Sequence, residues 1–164
     1  MRKRGARRAQ VADPGAFLRA VGLQQRLDDG QQVDLMLTVR AAVLALRSGA
    51  GCEHHAWALA SALNAALVLA ERGTGAEWLE TIVVGQLAVQ RLIERARRSW
   101  RWGFDGPAMG EVEAALKVYE AQLSAVPRIE VRDAVREVSL RVDRGLVFEV
   151  ETLGKPGASP GQGA

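Results

Sequence analysis

Arg91, Arg95, Arg98 and Trp102 follow one another at intervals of four, three and four, the spacing that brings side chains together on one face of a helix. Arg97 and Arg101 widen the patch. A guanidinium presents paired donors that match phosphate oxygens, and an aromatic ring beside it can stack on a base. The chemistry this pattern implies is therefore contact with nucleic acid. A structural reading competes with it: the helix dipole favours cations near a helix C-terminus in any protein, and Glu94 offsets part of the charge.

The same chemistry recurs at the start of the chain, where Arg2, Lys3, Arg4, Arg7 and Arg8 crowd into the first eight residues. Such an arm can displace counterions from a phosphate backbone without reading sequence, or it can be a solvated tail. The basic excess is confined to these two places. The whole chain carries +3 with a pI near 9.6, yet residues 1–13 alone carry +4 and residues 91–101 another +4, which leaves −5 for everything else. The body is mildly acidic, with two basic patches.

A second candidate surface is the turn that follows the arginines, where Trp100, Trp102 and Phe104 cluster beside Gly103. Exposed Trp and Arg are enriched among binding hot spots, so this turn could serve a protein-interaction module, a homodimer or an inhibitor of a host protein. The competing reading has the aromatics closing the bottom of the core.

Other chemistry is hard to build. Cys52, Glu53, His54 and His55 are metal-ligand types, but only Cys52 and His55 have the three- or four-residue spacing that makes helical ligands converge, and the chain has only these two histidines. There is no G-x-S-x-G, Walker loop, H-E-x-x-H or Gly-rich dinucleotide turn. Carboxylates at Glu53, Glu71, Glu77, Glu80, Asp105 and Glu111 remain as unassigned candidates. The expectation is a protein that is not an enzyme, with no catalytic residue, metal, cofactor or small-molecule substrate. One cysteine excludes an internal disulfide framework, and the opening MRKRGARRAQ lacks the apolar region of a secretory signal. The most apolar stretch, Ala56 to Ala70, is 15 residues long and contains Ser61 and Asn64, short of the roughly 20 needed to span a bilayer. A cytoplasmic protein without membrane contact is expected.

The elements that must position these groups are helices. Alanine is the commonest residue, 27 of 164, and favours helix over Gly or Pro by about 1–3 kcal/mol per site. A short helix is expected over Ala16 to Leu27, then one over Gln31 to Ser48 with Leu35, Val39, Ala42, Val43 and Leu46 along one side. Glu53 to Arg72 is apolar nearly all round, through Trp57, Leu59, Leu63, Leu67, Val68 and Leu69, and so belongs in the middle of a bundle. Asn64 within it should be a buried polar group bonded to a neighbouring helix. The longest helix is expected over Ala76 to Trp102, and another from Pro107 to Ser124 with Val112, Leu116, Tyr119 and Leu123 inward and Glu111 and Glu113 near its positive end. A helix-turn-helix around Arg72 to Gly75 is disfavoured, because Trp78, Leu79, Ile82, Val83 and Val84 would occupy positions where base-reaching polar groups are needed. For Ile129 to Arg144, Val131, Val135, Val138 and Val142 read as a helical stripe, with Pro127 as a start and Gly145 as a stop, so a helix to Arg144 is favoured, while the alternation at 138–142 followed by 146–150 leaves a hairpin open.

The string Leu63-Asn64-Ala65-Ala66-Leu67-Val68-Leu69-Ala70-Glu71-Arg72-Gly73-Thr74-Gly75, the later Arg101-Trp102-Gly103-Phe104-Asp105-Gly106 and the opening Met1-Arg2-Lys3-Arg4 resemble small helical proteins of prophages and other mobile elements of Gram-negative bacteria, particularly β-proteobacteria. The likeness spans residues 1–8 and 52–145. Members of that family have no settled activity and are sometimes labelled Fis-like transcriptional regulators. A Fis-like protein ends in a compact helix-turn-helix, whereas this chain ends in Leu146-Val147-Phe148-Glu149-Val150 and a Gly/Pro tail. The resemblance implies a mobile-element accessory or regulatory protein and carries over no functional residue. The expected architecture is an all-α bundle of four or five helices, with a basic flexible arm over residues 1–13, one helical domain over 14–153 and a disordered tail over 154–164.

Overall fold

The computed structural model describes residues 22–145, and over them the chain is an all-α bundle. Five α-helices follow in order: α1 (Asp29–Ser48), α2 (Glu53–Glu71), α3 (Leu79–Ser99), α4 (Gly106–Ala125) and α5 (Arg128–Asp143), with a 3-10 turn at Ala76–Trp78 leading into α3. The basic arm, the Gly/Pro tail and residues 146–150 lie outside the described residues. So does most of the short helix expected over Ala16 to Leu27, of which residues 22–24 are helical. That helix stops before Leu27: Gln25 accepts the Arg128 N–H at 3.0 Å and Arg26 forms an isolated bridge with Pro127.

Local sequence sets the ends. Asp28 caps α1 by accepting from the Gln31 N–H at 2.8 Å while the Gln31 side chain returns to the Asp28 N–H, a reciprocal capping box. Gly49, at φ 77°, closes the helix in the left-handed region. Asp105 caps α4 through the Ala108 N–H at 2.9 Å, with Pro107 in its first turn.

α2 is the centre and touches each of the other four helices. Leu59, Leu63, Leu67 and Leu69 are buried, as are the alanines at 56, 62, 65, 66 and 70. The small residues let neighbours approach closely. Asn64 is half-buried and accepts from Gln86 of α3 at 2.7 Å. Trp57, by contrast, is 50% exposed, because only the later turns of α2 are covered on every side.

Other departures from the periodic reading have similar causes. In α1 the buried line is Met36, Val39, Ala42 and Leu46, and Leu35 faces solvent. In α5, Val131 and Ala134 are buried while Val135 and Val142 are exposed. That helix leans mainly on α2, so its buried strip is narrow: it keeps Val131 and the half-buried Val138 of the valine stripe, adds Ala134, and leaves Val135 and Val142 out. Residues 138–142 are helical, so the hairpin is not formed there. Arg141 of α5 ties the last turns to α2 through Glu71 at 2.8 Å and to its own Glu137 at 2.8 Å.

The most extensive helix contact is α3 on α4, and Gly85 makes it possible. A Cβ built at Gly85 would lie 2.5 Å from the Ala115 Cβ, well inside van der Waals contact. Gly85→Ala is therefore expected to lower stability in urea denaturation by about 1–3 kcal/mol through overpacking. Gly110→Ala, whose added Cβ meets nothing within 4 Å, is expected to raise it by about 0.5–1 kcal/mol. A Gly85→Ala protein as stable as the parent would show that the two helices do not meet at this point.

Candidate nucleic-acid interface

α3 ends at Ser99, earlier than the expected Trp102, and begins at Leu79 after the 3-10 turn. Trp100 is what stops it. Its φ of 55° makes it the one non-glycine residue with positive φ among the described residues, and its N–H bonds to the Ala96 carbonyl at 2.7 Å. A side chain in the left-handed region costs roughly 1–2 kcal/mol. The Trp100 side chain gains no packing in return, since it is 85% exposed.

Because the helix stops there, Trp102 does not continue the face of Arg91, Arg95 and Arg98. Trp102 and Phe104 are half-buried and pack against the core. The turn that carries them passes so close to the α1–α2 loop that a Cβ on Gly51 would lie 2.7 Å from the Trp102 carbonyl oxygen. Of the three turn aromatics, only Trp100 presents its ring to solvent.

The arginines divide as well. Arg91 pairs with Glu111, and Arg95 pairs with Asp105 at 2.8 Å while also donating to the Gly103 carbonyl. Both hold the end of α3 to the start of α4. Glu111 lies beyond the first turn of α4, so its role is this ion pair and not an interaction with the helix dipole. Arg97, Arg98 and Arg101 are exposed, and their side chains make no ion pair or hydrogen bond among the described residues. Sequence reasoning counted Glu94 as the only neutralising group. With Asp105 and Glu111 folded against the cluster, its charge drops from +4 to +2.

The remaining candidates are dispersed. Arg2, Lys3, Arg4, Arg7 and Arg8 lie outside the described residues. His55 sits in the first turn of α2, where its Nδ1 accepts the Cys52 N–H at 3.1 Å. No group of three or more His, Cys, Asp or Glu able to hold a metal occurs among the described residues, nor is any described helix long and apolar enough to cross a membrane. Glu53 and Glu80 stand in the first turns of α2 and α3, and Glu71 is engaged by Arg141. Glu77 lines a groove of about 680 Å³ between the 3-10 turn at the start of α3 and α4, together with Trp78, Thr81, Glu113, Lys117 and Gln122.

Gln122, which the sequence did not single out, is buried and donates through Nε2 to the carbonyls of Ala66 at 3.0 Å and Thr74 at 2.8 Å. It fixes the loop between α2 and α3. Its position three residues after Tyr119 and next to Leu123, within the inward stripe of α4, was the only signal for it.

Comparison with protein-family models, with curated proteins and with solved structures finds no match for this chain.

The Ala108 N–H, and after it the Arg95 guanidinium, hold the Asp105 carboxyl below the ordinary aspartate value, against the opposing effect of partial desolvation. A depressed carboxylate contributes stability that is complete above the unfolded-state value and is lost as pH falls through the folded one. Asp105→Asn should keep most of the cap, since Asn caps well, and flatten the acid limb of a stability–pH curve below about pH 4. Asp105→Ala should lose about 1 kcal/mol at neutral pH. An unchanged acid limb in Asp105→Asn would show that the carboxylate charge is not coupled to folding.

Proposed function

We propose that this protein is a non-enzymatic accessory or regulatory protein, of the mobile-element kind its sequence resembles, that contacts nucleic acid through the end of α3. The observation that carries this reading is Trp100: a tryptophan held 85% exposed at a left-handed backbone position, flanked by Arg97, Arg98 and Arg101. The left-handed backbone at Trp100 closes α3, but the indole it holds in solvent adds nothing to the packing of the bundle, and strain carried by an unpacked aromatic is a feature of contact surfaces. An exposed indole gives any base a stacking surface, and the three arginines supply phosphate contacts. Arg91 and Arg95 set the geometry of this platform by fixing α3 against α4. The basic arm adds further phosphate contacts that are independent of sequence.

The preferred ligand on this chemistry is single-stranded, because stacking on a surface indole needs an accessible base face. Fluorescence anisotropy with a labelled single-stranded oligonucleotide across a salt series tests it. Trp100→Ala is expected to weaken binding by roughly 5- to 150-fold, the equivalent of about 1–3 kcal/mol per stacked base. Replacing Arg97, Arg98 and Arg101 together by Gln should lower the slope of log affinity against log salt by about 2, at about 0.7 per phosphate contact. Deleting residues 2–8 should lower it further. Absence of binding at low salt, or binding indifferent to all three changes, would overturn the reading.

A further inference from the structure

α1 has two apolar sides, and among the described residues the bundle uses one. Opposite the buried Met36, Val39, Ala42 and Leu46, the side chains of Val33, Leu37 and Leu44 are 61%, 62% and 63% exposed. Their spacing of four and seven places them in one line along the helix, with the exposed Ala41 between the last two. Scattered apolar exposure is ordinary on a protein surface, whereas a contiguous line of large aliphatics marks a docking seam.

Charge at the two ends of this seam points to its occupant. Asp29 opens α1 and Arg47 lies in its last turn. Both are exposed, and neither makes an ion pair among the described residues. They stand eighteen positions apart, which is five full helical turns, so they share one flank of the seam about 27 Å from each other. A two-fold axis perpendicular to a pair of helices keeps like flanks together and reverses direction. Under that symmetry Asp29 of each copy meets Arg47 of the other, at both ends of the contact, and Val33 lies opposite Leu44. The two Leu37 side chains then meet beside the axis, and the helix dipoles oppose. A parallel pairing would instead align acid with acid at one end and base with base at the other. The seam is thus complementary to itself in one orientation.

We propose that α1 pairs antiparallel with α1 of a second copy of this chain, through Val33, Leu37 and Leu44 with Asp29–Arg47 contacts at each end. This proposal is independent of the nucleic-acid reading, since it uses a different helix and a different chemistry.

Sedimentation velocity on the full chain is the first test. The expected species at tens of micromolar has twice the 17.7 kDa chain mass, and Leu37→Glu and Leu44→Glu each weaken dimerisation at least tenfold while circular dichroism stays helical. These side chains are already exposed in the monomer, so its fold does not depend on them. A monomer at every concentration overturns the proposal, and is also the result if the chain's own ends or another protein cover the seam. A dimer that survives both substitutions overturns it too, by placing the interface elsewhere. Orientation is read by oxidative cross-linking in a Cys52→Ser background. Val33→Cys chains are expected to cross-link to Leu44→Cys chains and not to themselves. Self-linking at both positions, or no linking in the mixture, contradicts the antiparallel arrangement.

Discussion

The bundle depends on α2 having no solvent side over its later turns. From Ala62 to Ala70 every residue but Asn64 is buried, and Asn64 satisfies its polarity across the interface with Gln86 of α3. Such a helix has no amphipathic preference to orient it, so its position is set by what surrounds it. The alanines let α1, α3, α4 and α5 come close, and Gly85 extends the same economy of volume to the contact between α3 and α4. Packing at this density is unforgiving of added methyl groups, and that rigidity makes the end of α3 a fixed platform.

The arginines at and just beyond the end of α3 divide, within three helical turns, into those with partners and those without among the described residues. Arg91 and Arg95 face inward along the bundle surface, where Glu111, Asp105 and the Gly103 carbonyl engage them. Arg97, Arg98 and Arg101 stand beyond those partners, around a tryptophan whose backbone conformation keeps it out of the core. Exposed ion pairs are individually worth about 0–1 kcal/mol, but the Arg95 guanidinium bonds two acceptors at once and so fixes a direction. Position, more than energy, is what the paired arginines contribute to the unpaired ones.

Much of the fold was legible in the residues. The all-α class followed from alanine content and periodicity, the centrality of α2 from its uniform apolarity, and the helix ends from Gly49, Gly73 and Pro107. The α4 stripe of Val112, Leu116, Tyr119 and Leu123 is buried as its spacing implied. Illegible were the features that depend on which neighbours a helix has. A stripe in α5 read as Val131, Val135, Val138 and Val142 turned out to bury Val131 and Ala134, because that helix rests mainly on one partner. The site was half legible: the arginine spacing was visible, but Asp105 and Glu111 reach it only after the chain turns back at 100–105. Nor does a local pattern reveal that α3 stops at Ser99 and separates Trp100 from Trp102. The outer seam of α1 was missed for a related reason: the stripe of Leu35, Val39, Ala42, Val43 and Leu46 gave that helix one apolar side, and Val33, Leu37 and Leu44 lie off it.

The division between anchoring and free arginines is the centre of the account, and one paired comparison addresses it most directly: thermal unfolding and single-strand affinity measured together on Arg95→Gln and Arg98→Gln. Arg95→Gln is expected to lower the unfolding temperature by several degrees, as a loss of about 1 kcal/mol does in a domain of this size, with a smaller effect on affinity. Arg98→Gln should leave stability within about 0.5 kcal/mol and weaken binding in a salt-dependent way. If the two variants proved equally stable and lost affinity equally, all the arginines would form one undivided surface, and the division drawn from their partners would be wrong.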